Sequence, residues 1–164
     1  MTDISSFDAL PDGEAERLLH GCCASTRWAG AVAAGRPYRS TDALLTAADD
    51  ALAGLDDADV DEALAGHPRI GERSGSAASA REQAGVLASD DAVLAALAEG
   101  NRAYEARFGH VYLVCASGRS GAELLAVLEQ RLRNDPATER VRTRAELGKI
   151  NRIRLVNLMT DGGP

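Results

Sequence analysis

The sequence predicts an all-α fold: a compact single-domain bundle of many helices over residues 1–164, with one short extended segment near 111–116. Three observations predict it. Apolar residues recur at helical spacing along most of the chain. Capping residues and stop residues bracket these stretches one after another. Only His110-Val111-Tyr112-Leu113-Val114-Cys115-Ala116 reads as a strand, and no second run offers it a partner.

In chain order, residues 1–11 form a lead-in with one short helical turn. Asp12 is placed to cap a helix to Cys23, with Ala15, Leu18, Leu19 and Cys22 on one face. Ser25 caps Thr26 to Ala34, which stops at Gly35, and Trp28 and Val32 are spaced to pack together. Arg36-Pro37-Tyr38 is a connector. Thr41 is placed to cap a helix buried through Leu44, Leu45, Ala48, Leu52 and Leu55. Residues 56–65 make a short acidic helix. The small, polar residues 72–78 read as a flexible loop. A further helix begins at Ser79, and Asp90 or Asp91 caps a long one to Phe108, closed by Gly109. Ser120 and Glu123 form a capping box for a helix to about Arg133. Asp135-Pro136 opens a last helix to about Met159, and 161–164 is a disordered tail.

Composition narrows the function. The chain is 45% apolar but only 4% aromatic, so its core is aliphatic and rich in alanine. A net charge of −7 argues against a general nucleic-acid binder. No apolar run approaches the ~18 residues that a membrane span needs. The first residues lack a basic and apolar leader pattern, and Asp161-Gly162-Gly163-Pro164 is no peroxisomal address. The three cysteines, two of them adjacent at Cys22-Cys23, fit a reducing compartment. A cytoplasmic location is therefore expected.

One stretch stands out as chemistry. In Gly66-His67-Pro68-Arg69-Ile70-Gly71-Glu72, the proline ring pushes His67 out of the α region and into an extended turn. An imidazole titrates near neutral pH, so a rigidly presented one suits proton transfer. The plainer alternative is an ordinary turn histidine with no chemical role. Ser79-x-x-Glu82 is open in the same way, because a capping box would account for both residues. His20 and His110 read as structural. No His or Cys pair has zinc-like spacing, and no metal is expected. There is no phosphate loop, dinucleotide fingerprint or nucleophile elbow. The arginines between Arg131 and Arg154 are interleaved with Asp135, Glu139 and Glu146, which predicts a solvated mixed-charge face. Arg154, between Ile153 and Leu155, is expected to turn inward. Arg119, beside glycines, can reach an anion. The unpaired 110–116 run needs side chains, water or a ligand for its backbone groups, which makes it a candidate binding wall.

Several motifs in order carry a resemblance over nearly the whole chain. They are Cys22-Cys23, Trp28 and Arg36-Pro37-Tyr38; His67-Pro68-Arg69-Ile70-Gly71; Ser79-Ala80-Arg81-Glu82-Gln83; Asn101, Tyr104 and Phe108-Gly109; the run 112–121; Asn134-Asp135-Pro136; and Ile150 with Arg154-Leu155. Together they resemble the decarboxylases of 2-oxo-4-hydroxy-4-carboxy-5-ureidoimidazoline (OHCU) in urate breakdown. The resemblance implies a cofactor-independent carboxy-lyase giving (S)-allantoin and CO2. It implies His67 as acid–base group, with Glu82 orienting the substrate beside it and Gln83 contacting the ureido amide. Pro68 and Ser79 would line the site. Backbone groups of Leu113, Val114, Cys115, Ala116 and Ser117 would hold the ring edge, and Arg154 and Arg119 would pair with anionic or carbonyl oxygens. In some relatives extra residues follow the Glu-Gln pair, whereas here Ala84-Gly85 follows at once. The family likeness also implies a homodimer and a small-molecule substrate, with no nucleic-acid or membrane partner. Two other readings remain beside it: a helical binding or regulatory module, and a related lyase for another ureido acid.

Overall fold

The computed structural model describes residues 3–73 and 75–161, so the end of the expected tail lies outside the described residues. Ten helices occur among them, and the run 110–116 is extended without pairing as a strand. The all-α expectation holds. Among the described residues, those up to Gly66 together with those from Gly148 on form one unit, and those from His67 to Leu147 form another.

The first unit contains α1 (Ile4–Asp8), α2 (Asp12–Cys22), α3 (Thr26–Ala34), α4 (Thr41–Ala53) and α5 (Asp57–Ala65). Its core is built around Trp28, which is fully buried; the indole N–H donates to the Ala48 carbonyl at 3.0 Å. Val32, one turn on, is buried with it, as the spacing predicts. Ser25 caps α3 by accepting from the Trp28 N–H. Two expected caps are corrected. Ser40, not Thr41, accepts the Ala43 N–H at the start of α4. Asp12 is the first residue of α2 and its carboxylate takes Arg36 Nη2 at 2.7 Å instead. Arg36 also donates from Nη1 to the carbonyls of Phe7 and Leu10, each at 2.8 Å. The Arg36–Pro37 peptide is cis. Asp8 accepts from the N–H groups of Tyr38 and Arg39, so the connector is tied back to α1 on both sides of its bend.

The second unit contains α6 (Ala77–Glu82), α7 (Ala84–Leu87), α8 (Asp91–Phe108), α9 (Gly121–Arg131) and the first part of α10 (Pro136–Asp161). Asp90, Ser120 and Asp135 accept N–H groups three residues on, at the starts of α8, α9 and α10. Gly109 closes α8 at φ +79°. α10 continues past Met159 to Asp161. The helix expected from Ser79 is two short helices, broken at Gln83 and starting earlier, at Ala77. Ile70, Val86, Leu97, Tyr104, Tyr112, Val114, Leu124 and Leu128 form the core of this unit. Among the described residues no helix is long and apolar enough to cross a membrane.

All three tyrosines are held protonated. Burial pushes the phenols of Tyr104 and Tyr112 far up and raises that of Tyr38, which also faces Asp8. Unfolded tyrosine ionises near pH ~10. A folded pKa above that value leaves stability intact below pH ~10 and withdraws it as pH rises, because the unfolded chain then binds fewer protons. Phenolate absorbance should therefore grow in step with the loss of the helical circular dichroism signal. Ionisation of all three tyrosines near pH ~10 with helicity intact would contradict this.

Candidate active site

The His67 turn follows Gly66, the C-cap of α5. His67 and Pro68 are half-buried, and Ile70 inserts into the core of the second unit. Gly71 has φ +92°, a left-handed conformation that a side chain would strain. The turn is held through its backbone. The Gly71 N–H donates to Gln83 Oε1 at 2.8 Å, and Gln83 Nε2 donates to the Arg69 carbonyl at 3.2 Å. Asn101 Nδ2 donates to the Ile70 carbonyl at 2.9 Å. Outside, Arg69 pairs with Glu105 through Nε and Nη2 at 2.7 and 3.3 Å.

These bonds join two of the sequence motifs. Gln83 reaches the residues just after His67-Pro68, so its neighbour Glu82, also half-buried, is anchored to the strip of chain that carries the imidazole. The capping-box account of Ser79 and Glu82 fails. Ser76 is the cap of α6 and accepts the Ser79 N–H. Ser79 is thus inside the helix, buried, and one turn ahead of Glu82 on the same face. Glu82 is therefore not the third residue of a capping box begun by Ser79. Gln83 spends both ends of its amide on the turn, a use that the sequence did not suggest.

The extended segment 110–116 is suspended from side chains. The Leu113 carbonyl accepts from Arg131 Nη1 at 2.6 Å, and the Cys115 N–H donates to Glu146 Oε2 at 3.2 Å. Arg131 is 3% exposed and ion-pairs through Nε with Glu139, which is fully buried. Glu139 also accepts from the Tyr104 hydroxyl at 2.7 Å and from Asn134 Nδ2 at 3.1 Å, while Arg131 Nη2 reaches Thr143. The guanidinium lies over the Tyr112 ring at 5.0 Å. The expectation of a solvated mixed-charge face is therefore wrong for Arg131, Glu139 and Glu146. Glu139, Thr143 and Glu146 recur at four and three residues, one face of α10. That spacing places the three on one side of the helix, but by itself it does not mark the side as buried. Neither the N–H nor the C=O of Val114, lying between the two anchored peptides, is hydrogen-bonded to a described residue.

Beyond Ala116 the chain turns back, with the Arg119 N–H on the Ala116 carbonyl at 3.0 Å. A Cβ on Gly85 would stand 2.6 Å from the Arg119 carbonyl oxygen. The glycine that directly follows Gln83-Ala84 thus lets this turn rest against α7. α7 and α6 together brace both the His67 turn and the end of the 110–116 segment. The Arg119 side chain is one-third exposed, with Nε 3.7 Å from Glu123. Arg154 belongs to the first unit, as the sequence expected half-buried, and donates from Nη1 to the Cys22 carbonyl at 3.1 Å. Burial pushes the nearby Cys23 thiol up to about 11, against the opposing pull of the Ser25 backbone and Arg154. His110 rests its ring edge-on against Tyr104, a structural placement as expected. Among the described residues no group of three or more His, Cys, Asp or Glu side chains is placed to hold a metal ion.

The family model for OHCU decarboxylase matches residues 8–156. The chain is 33% identical over 161 residues to the uric acid degradation bifunctional protein TTL of Arabidopsis thaliana, covering 93% of this chain and 49% of that protein. It thus spans about half the length of that relative. It is 28% identical over 138 residues to the 2-oxo-4-hydroxy-4-carboxy-5-ureidoimidazoline decarboxylase of Amia calva, covering 80% of this chain and 79% of the relative. A crystal structure of OHCU decarboxylase in the presence of (S)-allantoin aligns with a TM-score of 0.81 at 29% identity, over 93% of this chain and 100% of the other. A crystal structure of (S)-allantoin synthase shares the fold, with a TM-score of 0.76 at 18% identity over 96% of this chain and 53% of that one. The matched range takes in the His67 turn, α6 and the suspended 110–116 segment, and this chain belongs to the OHCU decarboxylase family.

Proposed function

We propose that the protein decarboxylates OHCU to (S)-allantoin and CO2, the last step from urate to allantoin. The observation that carries the reading is the Gln83 bridge, which fastens the Ser79-x-x-Glu82-Gln83 helix to the turn bearing His67. Family membership supplies the substrate class.

The substrate provides its own electron sink. Its carboxylate sits on a hydroxyl-bearing carbon next to an imine. When the C–C bond breaks, CO2 leaves and the bonding pair moves into the imine, so no cofactor is required. A proton must then reach the carbon from one face to give a single enantiomer. The protein's part is to position the substrate and to stabilise the shifting charge. His67 handles the substrate hydroxyl proton or donates to carbon. Glu82 accepts from the ureido or ring N–H groups and orients the substrate. Ser79, on the same face of α6, and Pro68 line that side. The peptide group of Val114, with its neighbours up to Ser117, offers donors and acceptors to the ring edge. Arg119 and Arg154 keep the anion-pairing roles that the family likeness gives them. A homodimer and a cytoplasmic location are further parts of the proposal and rest on the likeness and the composition.

The test is optical. Urate is carried through its oxidase and hydroxyisourate hydrolase to OHCU, with this protein added or withheld. Unaided decay yields racemic allantoin, so addition should bring a rapid (S)-allantoin circular dichroism signal. A trace unchanged by addition would refute the reading.

A further inference from the structure

Three successive residues after His67-Pro68 each give a backbone group to a buried carboxamide. Gln83 takes the Arg69 carbonyl and the Gly71 N–H, and Asn101 takes the Ile70 carbonyl. Gln83 is 4% exposed and Asn101 2%. Surface turns ordinarily leave such groups to water. Asn101 lies in the middle of α8, between the core residues Leu97 and Tyr104 on the same side. Only half of its amide is spent on the turn: Asn101 Oδ1 is buried and has no hydrogen-bond partner among the described residues, so the group carries a cost that its bond to the Ile70 carbonyl must offset. An unsatisfied buried polar atom in a native core calls for an explanation, and a role in a functional site is one.

The turn also needs holding. A cavity of about 210 Å³ borders Arg69, Ile70, Gly71, Leu94 and Asn101. The cavity opens to solvent between Arg69, Glu72 and Arg102, so on this side the strip is not held by packing and the amide bond is what fixes the Ile70 peptide. A carboxamide suits the task because it carries no charge and holds its bond at any pH at which the imidazole works. We propose that Asn101 is a positioning residue for the decarboxylation, fixing the direction of the His67 imidazole through the Ile70 peptide, with Gln83 as the second arm of the clamp. This inference rests on His67 being the acid–base group. Asn101 is assigned no contact with substrate.

The test uses Asn101→Leu and Asn101→Ala beside His67→Ala in the full chain. Asn101→Leu keeps the branching and removes the unsatisfied Oδ1 acceptor but also takes the donor from the Ile70 carbonyl, so these opposing effects should leave its melting temperature close to that of the parent. Its kcat should nevertheless fall by about ten- to a hundredfold, the scale expected for a misplacement near 1 Å. KM, and the Kd for (S)-allantoin by calorimetry, should stay within about twofold. Asn101→Ala should show the same split between kcat and KM at a lower melting temperature. Parent-like kcat in either folded variant, with His67→Ala inactive, overturns the clamp and leaves the His67 assignment standing. Loss of kcat and ligand affinity together, following the loss of melting temperature, also overturns it, since that is what a structural residue would show. Parent-like activity in His67→Ala overturns the assignment on which the clamp rests.

Discussion

A His67→Ala protein should fold and should turn over OHCU about 10²- to 10⁴-fold more slowly than the parent, the range that a positioned acid–base group contributes. Helicity and melting temperature should change little. The turn is shaped by Pro68 and by the Gln83 and Asn101 bonds to the backbone of Arg69, Ile70 and Gly71, and none of those bonds uses the imidazole. The readout is the initial rate of the (S)-allantoin signal, corrected for spontaneous decay. Loss of rate in a folded protein separates chemistry from architecture. A rate within about threefold of the parent would show that a second proton carrier, with Glu82 the first to examine, does the work assigned to His67.

The largest stability effect is expected at Glu139, where Glu139→Ala should cost about 3–5 kcal/mol, the range for breaking a buried ion pair from one side. Three donors converge on this carboxylate: the Arg131 guanidinium, the Tyr104 hydroxyl and the Asn134 amide. Removing it leaves the Arg131 cation buried beneath Tyr112 with Thr143 and the Leu113 carbonyl as its remaining acceptors among the described residues. Urea unfolding should show a much lower midpoint. The variant should also lose activity at temperatures where it remains folded, because Arg131 then no longer fixes the Leu113 peptide. A midpoint shift worth less than ~1 kcal/mol would mean that the cation finds water and that the network is not closed.

What the sequence revealed, and what it concealed, divides along the range of the interactions. Ser25, Asp90, Ser120 and Asp135 cap helices by accepting an N–H three residues on, and such local geometry leaves a readable pattern. Where two cap-competent residues are neighbours, the pattern underdetermines the start; at Ser40-Thr41 the structure uses the first. At Ser79 the same ambiguity was stretched over three residues, because the polar stretch before it offered Ser76 as well. The His67 turn was visible because proline acts on its own neighbour. The Arg131 network was not, since its partners lie 18 residues away at Leu113 and 35 residues from Tyr104 to Glu139. No local rule distinguishes a glutamate that will be fully buried from one in water. The family resemblance supplied the proposed site residues. The structure adds what that likeness could not, namely that Gln83 and Asn101 grip the turn from inside.

A strand within a sheet shares its backbone bonds with neighbours along its whole length, so moving it means moving the sheet. The 110–116 segment has no such neighbour among the described residues and hangs from the arginine of α9 and a glutamate of α10. Its side chains Tyr112 and Val114 are fixed in the core, while the tilt of its peptides depends on the lengths of two tethering side chains. Exchanging Glu146 for aspartate would draw in one tether by a single methylene and tilt the peptides of Val114 and Cys115 without altering any helix. A wall of this construction can be retuned by point substitution while the bundle stays as it is. Selection could thus reshape the proposed substrate wall separately from the His67 turn.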